Sequence, residues 1–323
     1  MFDRFPINKN EFDGPVLVTG AGGCIGSWTV ALLARAGVEV HAFDLREDTR
    51  RPGLLMDAAA LGKITWHTGD IGDTDAVLRA VKDSGVRAII HLAALQVPFC
   101  RADPVGGAKV NVVGTVNIFE AARAAGIRRL AYASSVAAYG ALEDGGAMPT
   151  LYGAYKYCNE QTAKVYSVEN GIHSVGIRPG VVYGVGRDQG MTSKTTVAIL
   201  AAAAGKPYTI PFSGPVSWLF AGEAASAFIR AVAKERSGAA VFDMNGVYAP
   251  VEEGLAILKG LVPGAQVEVS GEALAFPMGH SDDPLEKYVG NYGRIPLAEG
   301  VKATYESFKA LLADGRMSAA NIA

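Results

Sequence analysis

Cysteine is scarce in this chain. Of its 323 residues only Cys24, Cys100 and Cys158 carry thiols. They stand far apart and form no C-x-x-C pair, so neither a disulfide framework nor a zinc site is expected. Small buried hydrophobes in a reducing compartment are what such cysteines imply. A surplus of one charge is also missing. The formal net charge is -2, the isoelectric point is about 6.2, and no block of like charges stands out. Nucleic acid and anionic membranes are therefore not expected as partners. No apolar run approaches the roughly 20 residues of a spanning helix; "VAILAAAAG" is typical. The N-terminal "MFDRFPINKNEFDG" is polar and acidic and lacks the apolar stretch of a secretory signal. A cytoplasmic protein is the expectation. "GHSDDPLEKY" holds His280, Asp282 and Asp283, but Asp-Pro followed by Glu286 reads as a helix N-cap, and no metal is expected.

Apolar residues are plentiful, at 50% of the chain, with 39 glycines. That suffices for a large core in one domain, or in one domain plus a smaller lobe. The first half alternates short β-branched runs with amphipathic ones. "PVLVTG", "VEVHAFD", "KITWHTGD", "AIIHLAA", "RRLAYASS" and "HSVGIRPG" read as strands. "CIGSWTVALLARAG", "TDAVLRAVKDSG", "NVVGTVNIFEAARAAG" and "YGAYKYCNEQTAKVYSVENG" read as helices. Such alternation predicts an α/β fold with a parallel sheet covered on both faces. Its ligands would lie beyond the carboxyl ends of the strands. After about Gly184 the rhythm breaks. "TTVAILAAAAG" and "GEAASAFIRAVAKE" read as helices, and "AVFDMN" and "QVEVS" as short strands. The expected division is residues 1–184 around the sheet and residues 185–323 as an interleaved smaller lobe that binds substrate.

"VLVTGAGGCIG" follows the first strand and opens the first helix. Gly20, Gly23 and Gly26 give the spacing G-x-x-G-x-x-G. Glycine permits the tight turn and a close backbone approach to a pyrophosphate, and the helix N-terminus offers free N–H groups to that anion. Cys24 and Ile25 lie within the loop, where Cys24 reads as filling space. The second strand ends at Asp44, 18 residues past Gly26; an acid roughly 20 residues on is expected to accept bonds from the adenosine ribose. Together these predict a dinucleotide. Asp44 would repel a 2'-phosphate and so favours NAD over NADP. Arg46 reads either as a solvated loop cation or as a residue that accommodates that phosphate. Asp70, in "GDIGD" with Ile71, reads either as a turn residue or as a contact near the adenine.

Tyr152 and Lys156 stand four apart and share a helix face. Tyr305 and Lys309 repeat the spacing, so spacing does not discriminate. Order along the chain does. The glycine loop, Asp44, "GDIGD", "HLAA", "YASS" and the Tyr152/Lys156 pair occur in sequence over residues 14–184. This set resembles the extended short-chain dehydrogenase/reductase family, also called the NAD-dependent epimerase/dehydratase family. The resemblance implies a Rossmann-type doubly wound sheet, a smaller C-terminal substrate lobe and bound NAD. It implies a catalytic set of Ser135, Tyr152 and Lys156, with Ser134 as the neighbouring alternative hydroxyl. It places Leu92, Ala93 and Ala94 beside the cofactor ribose, and Pro179 and Val182 along the nicotinamide. It also implies a homodimer through helices near 108–125 and 152–170. Tyr155 stands where the family usually has serine. His91, inside an apolar strand, reads as core.

Chemically, removing a hydride from a carbinol requires removing its proton. Lys156 and an oxidised nicotinamide would both lower the Tyr152 phenol, making it a better base. The family's 4,6-dehydratases have an Asp-Glu pair after the catalytic hydroxyl; here Val136 and Ala137 stand there. Its nucleotide-sugar epimerases usually have an Asn in a phrase like "RYFN"; here the phrase is "IRPGVVYG". The expectation is an NAD-dependent dehydrogenase acting on a small hydroxylated substrate such as a sugar, sugar acid or polyol. A nucleotide-sugar epimerase and a non-catalytic NAD(P)-binding sensor are the alternatives. Gln96, Arg187, Asp188 and Gln189 are the candidate substrate contacts.

Overall fold

The computed structural model describes residues 1–142 and 149–320. Twelve strands occur among them: β1 (Val16–Thr19), β2 (Val40–Asp44), β3 (Thr65–Thr68), β4 (Ala88–His91), β5 (Arg129–Ala133), β6 (Ser174–Pro179), β7 (Val182–Tyr183), β8 (Tyr208–Ile210), β9 (Pro215–Phe220), β10 (Ala239–Met244), β11 (Val247–Pro250) and β12 (Val267–Val269). Seven form one sheet in the order β10-β6-β5-β4-β1-β2-β3, all parallel. Its strands send alternate side chains into two separate cores, as the two-residue period of a strand requires. Val16, Val18, Ala88, Ile90 and Ala131 enter one, with Trp28 and Ala224. Leu17, Ile89, Leu130 and Tyr132 enter the other, with Val77, Ile118 and Ala163. Each large side chain so buried contributes about 1.5–3 kcal/mol. This is why the strands read as continuous apolar runs rather than as half-polar ones.

The helices Cys24–Arg35 and Ala221–Val232 cover the first face, and Thr74–Ser84, Gly114–Ala125 and Leu151–Asn170 cover the second. The strand order reverses between β1 and β4. The crevice at their carboxyl ends is where such sheets take ligands.

One element departs from the sequence reading. "AVFDMN" reads there as part of the smaller lobe. In the fold it is β10, the edge strand of the large sheet, paired parallel to β6 from Ala239–Ser174 to Met244–Pro179. The chain leaves the sheet after β6, builds β7 and β9, and returns through the buried helix Ala221–Val232. That excursion hides the strand–helix–strand rhythm. The remaining C-terminal elements form a three-stranded sheet (β11-β9-β7) and a two-stranded one (β12-β8), with the helices Lys194–Ala203, Val251–Leu261 and Leu297–Ala313. No helix among the described residues is long and apolar enough to cross a membrane.

Candidate active site

The turn after β1 is built by its glycines. Gly20 has φ +67°, and a Cβ there would lie 2.7 Å from the Ala93 backbone nitrogen. A Cβ on Gly26 would run into the Gly20 carbonyl. Two strand ends and a helix start can meet here only without side chains. Gly23 caps the helix Cys24–Arg35 in extended backbone, leaving that N-terminus bare toward the crevice. At the end of β2, Asp44 accepts hydrogen bonds from Gly22 N–H (3.0 Å) and Leu45 N–H (2.9 Å). After β3, Asp70 accepts from Gly72 N–H at 2.8 Å and faces Lys109 at 3.5 Å. It therefore shapes its turn and lines the crevice at once. Arg46 is largely exposed and lies 3.8 Å from Asp48, which Arg50 grips with two nitrogens at 2.9 and 2.7 Å.

Tyr152 owes its place to a cap. Thr150 accepts a hydrogen bond from Gly153 N–H at 3.0 Å, starting the helix Leu151–Asn170 with Tyr152 in its first turn. Lys156, one turn on, is 3% exposed. Its ammonium donates to the Ala133 carbonyl at 2.6 Å and lies 5.6 Å from the Tyr152 ring centroid. Burial pulls that ammonium down to about 8. Burial pushes the Tyr152 phenol up, against a hydrogen bond with Ser135 and the charge of Arg187. In the protein alone, burial outweighs both.

Of the two serines after β5, Ser135 is the one whose hydroxyl bears on the Tyr152 phenol, pulling it down; it accepts from Ala137 N–H at 3.1 Å. Ser134 is buried and donates to Glu160, so its hydroxyl is engaged in structure. Glu160 in turn takes Arg178 with both oxygens, at 2.7 and 2.6 Å. Arg178 lies over the Tyr139 ring at 4.6 Å, Tyr139 donates to Asp243 at 2.9 Å, and His280 stacks on Tyr139 with centroids 4.1 Å apart.

A cavity of about 1090 Å³ joins these parts. It is lined by Gly20, Gly23, Cys24, Ile25, Gly26, Asp44, Asp70, Ile71, Leu92, Ala93, Ala94, Pro179 and Val182 at the cofactor end, and by Ser134, Ser135, Tyr152 and Lys156 where these meet. Gln96, Arg187, Asp188 and Gln189 line it as well. Asp188 is not free there. Arg51 donates to it at 3.0 and 2.6 Å while also donating to the Gly22 carbonyl at 2.9 Å. Asp188 thus fastens the loop after β7 to the glycine turn, a different position from the substrate contact read in the sequence. Tyr305 and Lys309 lie in the terminal helix, outside the cavity lining.

His91 is buried, held between the hydroxyls of Thr19 (2.7 Å) and Thr115 (3.1 Å), and burial pulls it down to about 3. Cys100 is buried, Cys24 is partly so, and Cys158 is exposed; burial pushes the Cys24 thiol up to about 11.

Three features escaped the sequence reading. Arg51 carries no motif. The segment Leu274–Pro277, between β12 and the helix Asp283–Val289, lines the cavity. Asn111 sits in a π-helical turn, Lys109–Val113, where its carbonyl accepts from Thr115 (2.8 Å) and Asn159 (2.8 Å) and its amide donates to the Leu95 carbonyl at 3.1 Å. A polar residue inside an otherwise apolar helix was the available signal.

A parallel sheet with strand order reversed at a glycine turn, opening on a half-buried Tyr152, a buried Lys156 and Ser135 in one cavity, defines a nicotinamide-dependent short-chain dehydrogenase/reductase site. Residues 16–245 match the NAD dependent epimerase/dehydratase family, and the chain belongs to that family. It is an enzyme of the extended type, and NAD is its cofactor. The UDP-glucose 4-epimerase of Mycolicibacterium smegmatis is 30% identical over 312 residues, 91% of this chain and 98% of that protein. The NAD-dependent glucose-6-phosphate dehydrogenase of Haloferax volcanii is 33% identical over 191 residues, 52% of this chain and 68% of that protein. Among solved structures, the Thermus thermophilus UDP-glucose 4-epimerase complex with NAD aligns with a TM-score of 0.76 at 25% identity, over 91% of this chain and 99% of that one. The relatives include a net dehydrogenase and epimerases, so membership alone does not fix the reaction.

Proposed function

We propose that the protein oxidises a secondary hydroxyl, or a hemiacetal, of a small polyhydroxylated molecule. The observation that carries this reading is the Tyr152 side chain, which lines one cavity with Ser135 and with the Lys156 ammonium 5.6 Å from its ring centroid. NAD fits the cleft: the glycines of the turn from Gly20 to Gly26 leave room for a pyrophosphate at the helix N-terminus, and Asp44 lines the same cavity for the ribose. When bound it supplies the hydride acceptor. Ser135 orients the substrate oxygen, Tyr152 takes its proton, and Lys156 favours the tyrosinate as that proton leaves. Val136 and Ala137 follow Ser135, and neither carries a carboxylate for elimination of water. The sensor alternative is disfavoured by the assembled Ser135/Tyr152/Lys156 set.

The test is NADH absorbance with free sugars, sugar acids, polyols and nucleotide sugars. Net NADH from a free substrate supports the reading. The second reading is a nucleotide-sugar epimerase, favoured by the M. smegmatis relative matched over 91% of this chain; interconversion without net NADH would establish it instead. Tyr152→Phe is expected to lower kcat by about 10²–10⁴-fold with NADH affinity retained. Near-normal turnover in that variant would refute the assignment. We further propose a homodimer through the exposed faces of the helices Gly114–Ala125 and Leu151–Asn170, where Val165 and Val168 are uncovered. Sedimentation would check it.

A further inference from the structure

Arg187 is the one lining cation whose position is best explained by a ligand. It follows Gly186 in the loop after β7, half-buried in the cavity wall. One terminal nitrogen donates to the Thr192 hydroxyl at 3.2 Å. Its Nε is buried and meets no partner among the described residues. The adjacent acid, Asp188, is turned away to Arg51. Sheltering a guanidinium without a carboxylate is costly, and the fork of N–H donors matches a carboxylate better than any other small group. Gln96 completes the cradle. A Cβ on Gly190, whose φ is +96°, would strike the Gln96 amide oxygen and lie 3.2 Å from the Arg187 guanidinium. Both side chains therefore flank one glycine at the mouth of the loop. Arg187 and Tyr152 line one cavity and the charge of Arg187 reaches the phenol, so an anion held there shares the cavity with the carbon being oxidised.

We infer that Arg187, with Gln96 and Thr192, binds a carboxylate of the substrate, and that the enzyme acts on small hydroxy acids rather than on neutral polyols. This rests on the dehydrogenase reading above and narrows it. The carbinol carbon gives up a hydride to NAD and its hydroxyl proton to Tyr152, leaving a carbonyl. The carboxylate is unchanged and serves as the handle. Leu274, Phe276 and Pro277 add apolar surface to the same cavity, which suits the carbon chain of a short acid.

The test uses matched pairs with NAD: gluconate against sorbitol, glucuronate against glucose, threonate against threitol. The expected result is NADH from at least one acid, with its neutral partner lower in kcat/KM by roughly 100-fold, the loss of a charge-assisted pair. Arg187→Gln should raise KM for the acid by about the same factor, with NADH affinity nearly unchanged, and Arg187→Lys should recover part of it. In thermal-shift titrations of NADH-loaded protein, an acid should stabilise the wild type and not Arg187→Gln. Equal turnover of neutral partners would overturn the inference and leave the dehydrogenase standing. So would a loss of NADH affinity in Arg187→Gln matching the loss for the acid, since the anion held would then be the cofactor pyrophosphate. Stabilisation by none of the acids would overturn it too. Nucleotide-sugar interconversion without net NADH would overturn both readings.

Discussion

Glu223 is a carboxylate in the wrong solvent. It is 1% exposed, in the first turn of the helix Ala221–Val232. Burial, aided by the charge of Asp282, pushes it up to about 8, while the Ile295 backbone, Arg294 and Arg4 oppose the shift. A carboxyl raised above its unfolded value near 4.5 contributes fully below that pH and loses its contribution as pH rises to about 8. The expected outcome is a wild type whose melting temperature falls between pH 5 and pH 9. Glu223→Gln should melt several degrees higher at pH 9 and about equally at pH 5; scanning fluorimetry at the two values checks it. The glycines obey a steric rule at the same scale. Gly20→Ala forces a left-handed conformation costing on the order of 1–2 kcal/mol and pushes against the Ala93 backbone. Reduced thermal stability and loss of NADH binding are expected, read by fluorimetry and NADH fluorescence.

At the scale of elements, the catalytic strand end and the cavity-lining segment Leu274–Pro277 are linked. The link runs from Ser134 through Glu160, Arg178 and Asp243 to Tyr139 and His280. His280 stands three residues past Pro277, so its stack on Tyr139 ties the segment Leu274–Pro277 to the turn Val136–Ala141 that follows Ser135. His280→Ala should raise the substrate KM severalfold while leaving NADH affinity and kcat near wild type; steady-state kinetics beside NADH titration separates the two. This linkage also marks the boundary of what sequence reading reaches. The glycine turn, Asp44 and the Tyr152/Lys156 face are local patterns, and each falls where its spacing places it. Arg51 meeting Asp188 and Tyr139 meeting Asp243 join residues 137 and 104 apart, and no local period encodes such pairs. The choice between Ser134 and Ser135 was open for the same reason. It turns on Glu160, which lies on another element.

Across the whole molecule, the second half of the chain completes the first. β10 is the outer partner of β6. Trp28, in the first helix, donates to the Val185 carbonyl at 2.9 Å and packs edge-on against Phe220 at 5.3 Å. A chain ending at Gly184 would expose the face that the helix Ala221–Val232 covers. Such a fragment is expected to be insoluble or to melt without cooperativity and to bind no NADH; expression and circular dichroism test this. The alternation of strands and helices announced the sheet, but the long excursion between β6 and β10 concealed its seventh strand. The three thiols, set apart by burial, have a practical consequence for the same molecule. Cys24 is sheltered and hard to ionise, Cys100 is buried and pushed up by that burial, and Cys158 is exposed. A maleimide should therefore label the native protein once and fast, at Cys158. Because that residue lies on the same helix as Val165 and Val168, its labelling rate against protein concentration becomes a built-in gauge of whether two copies cover that helix in solution.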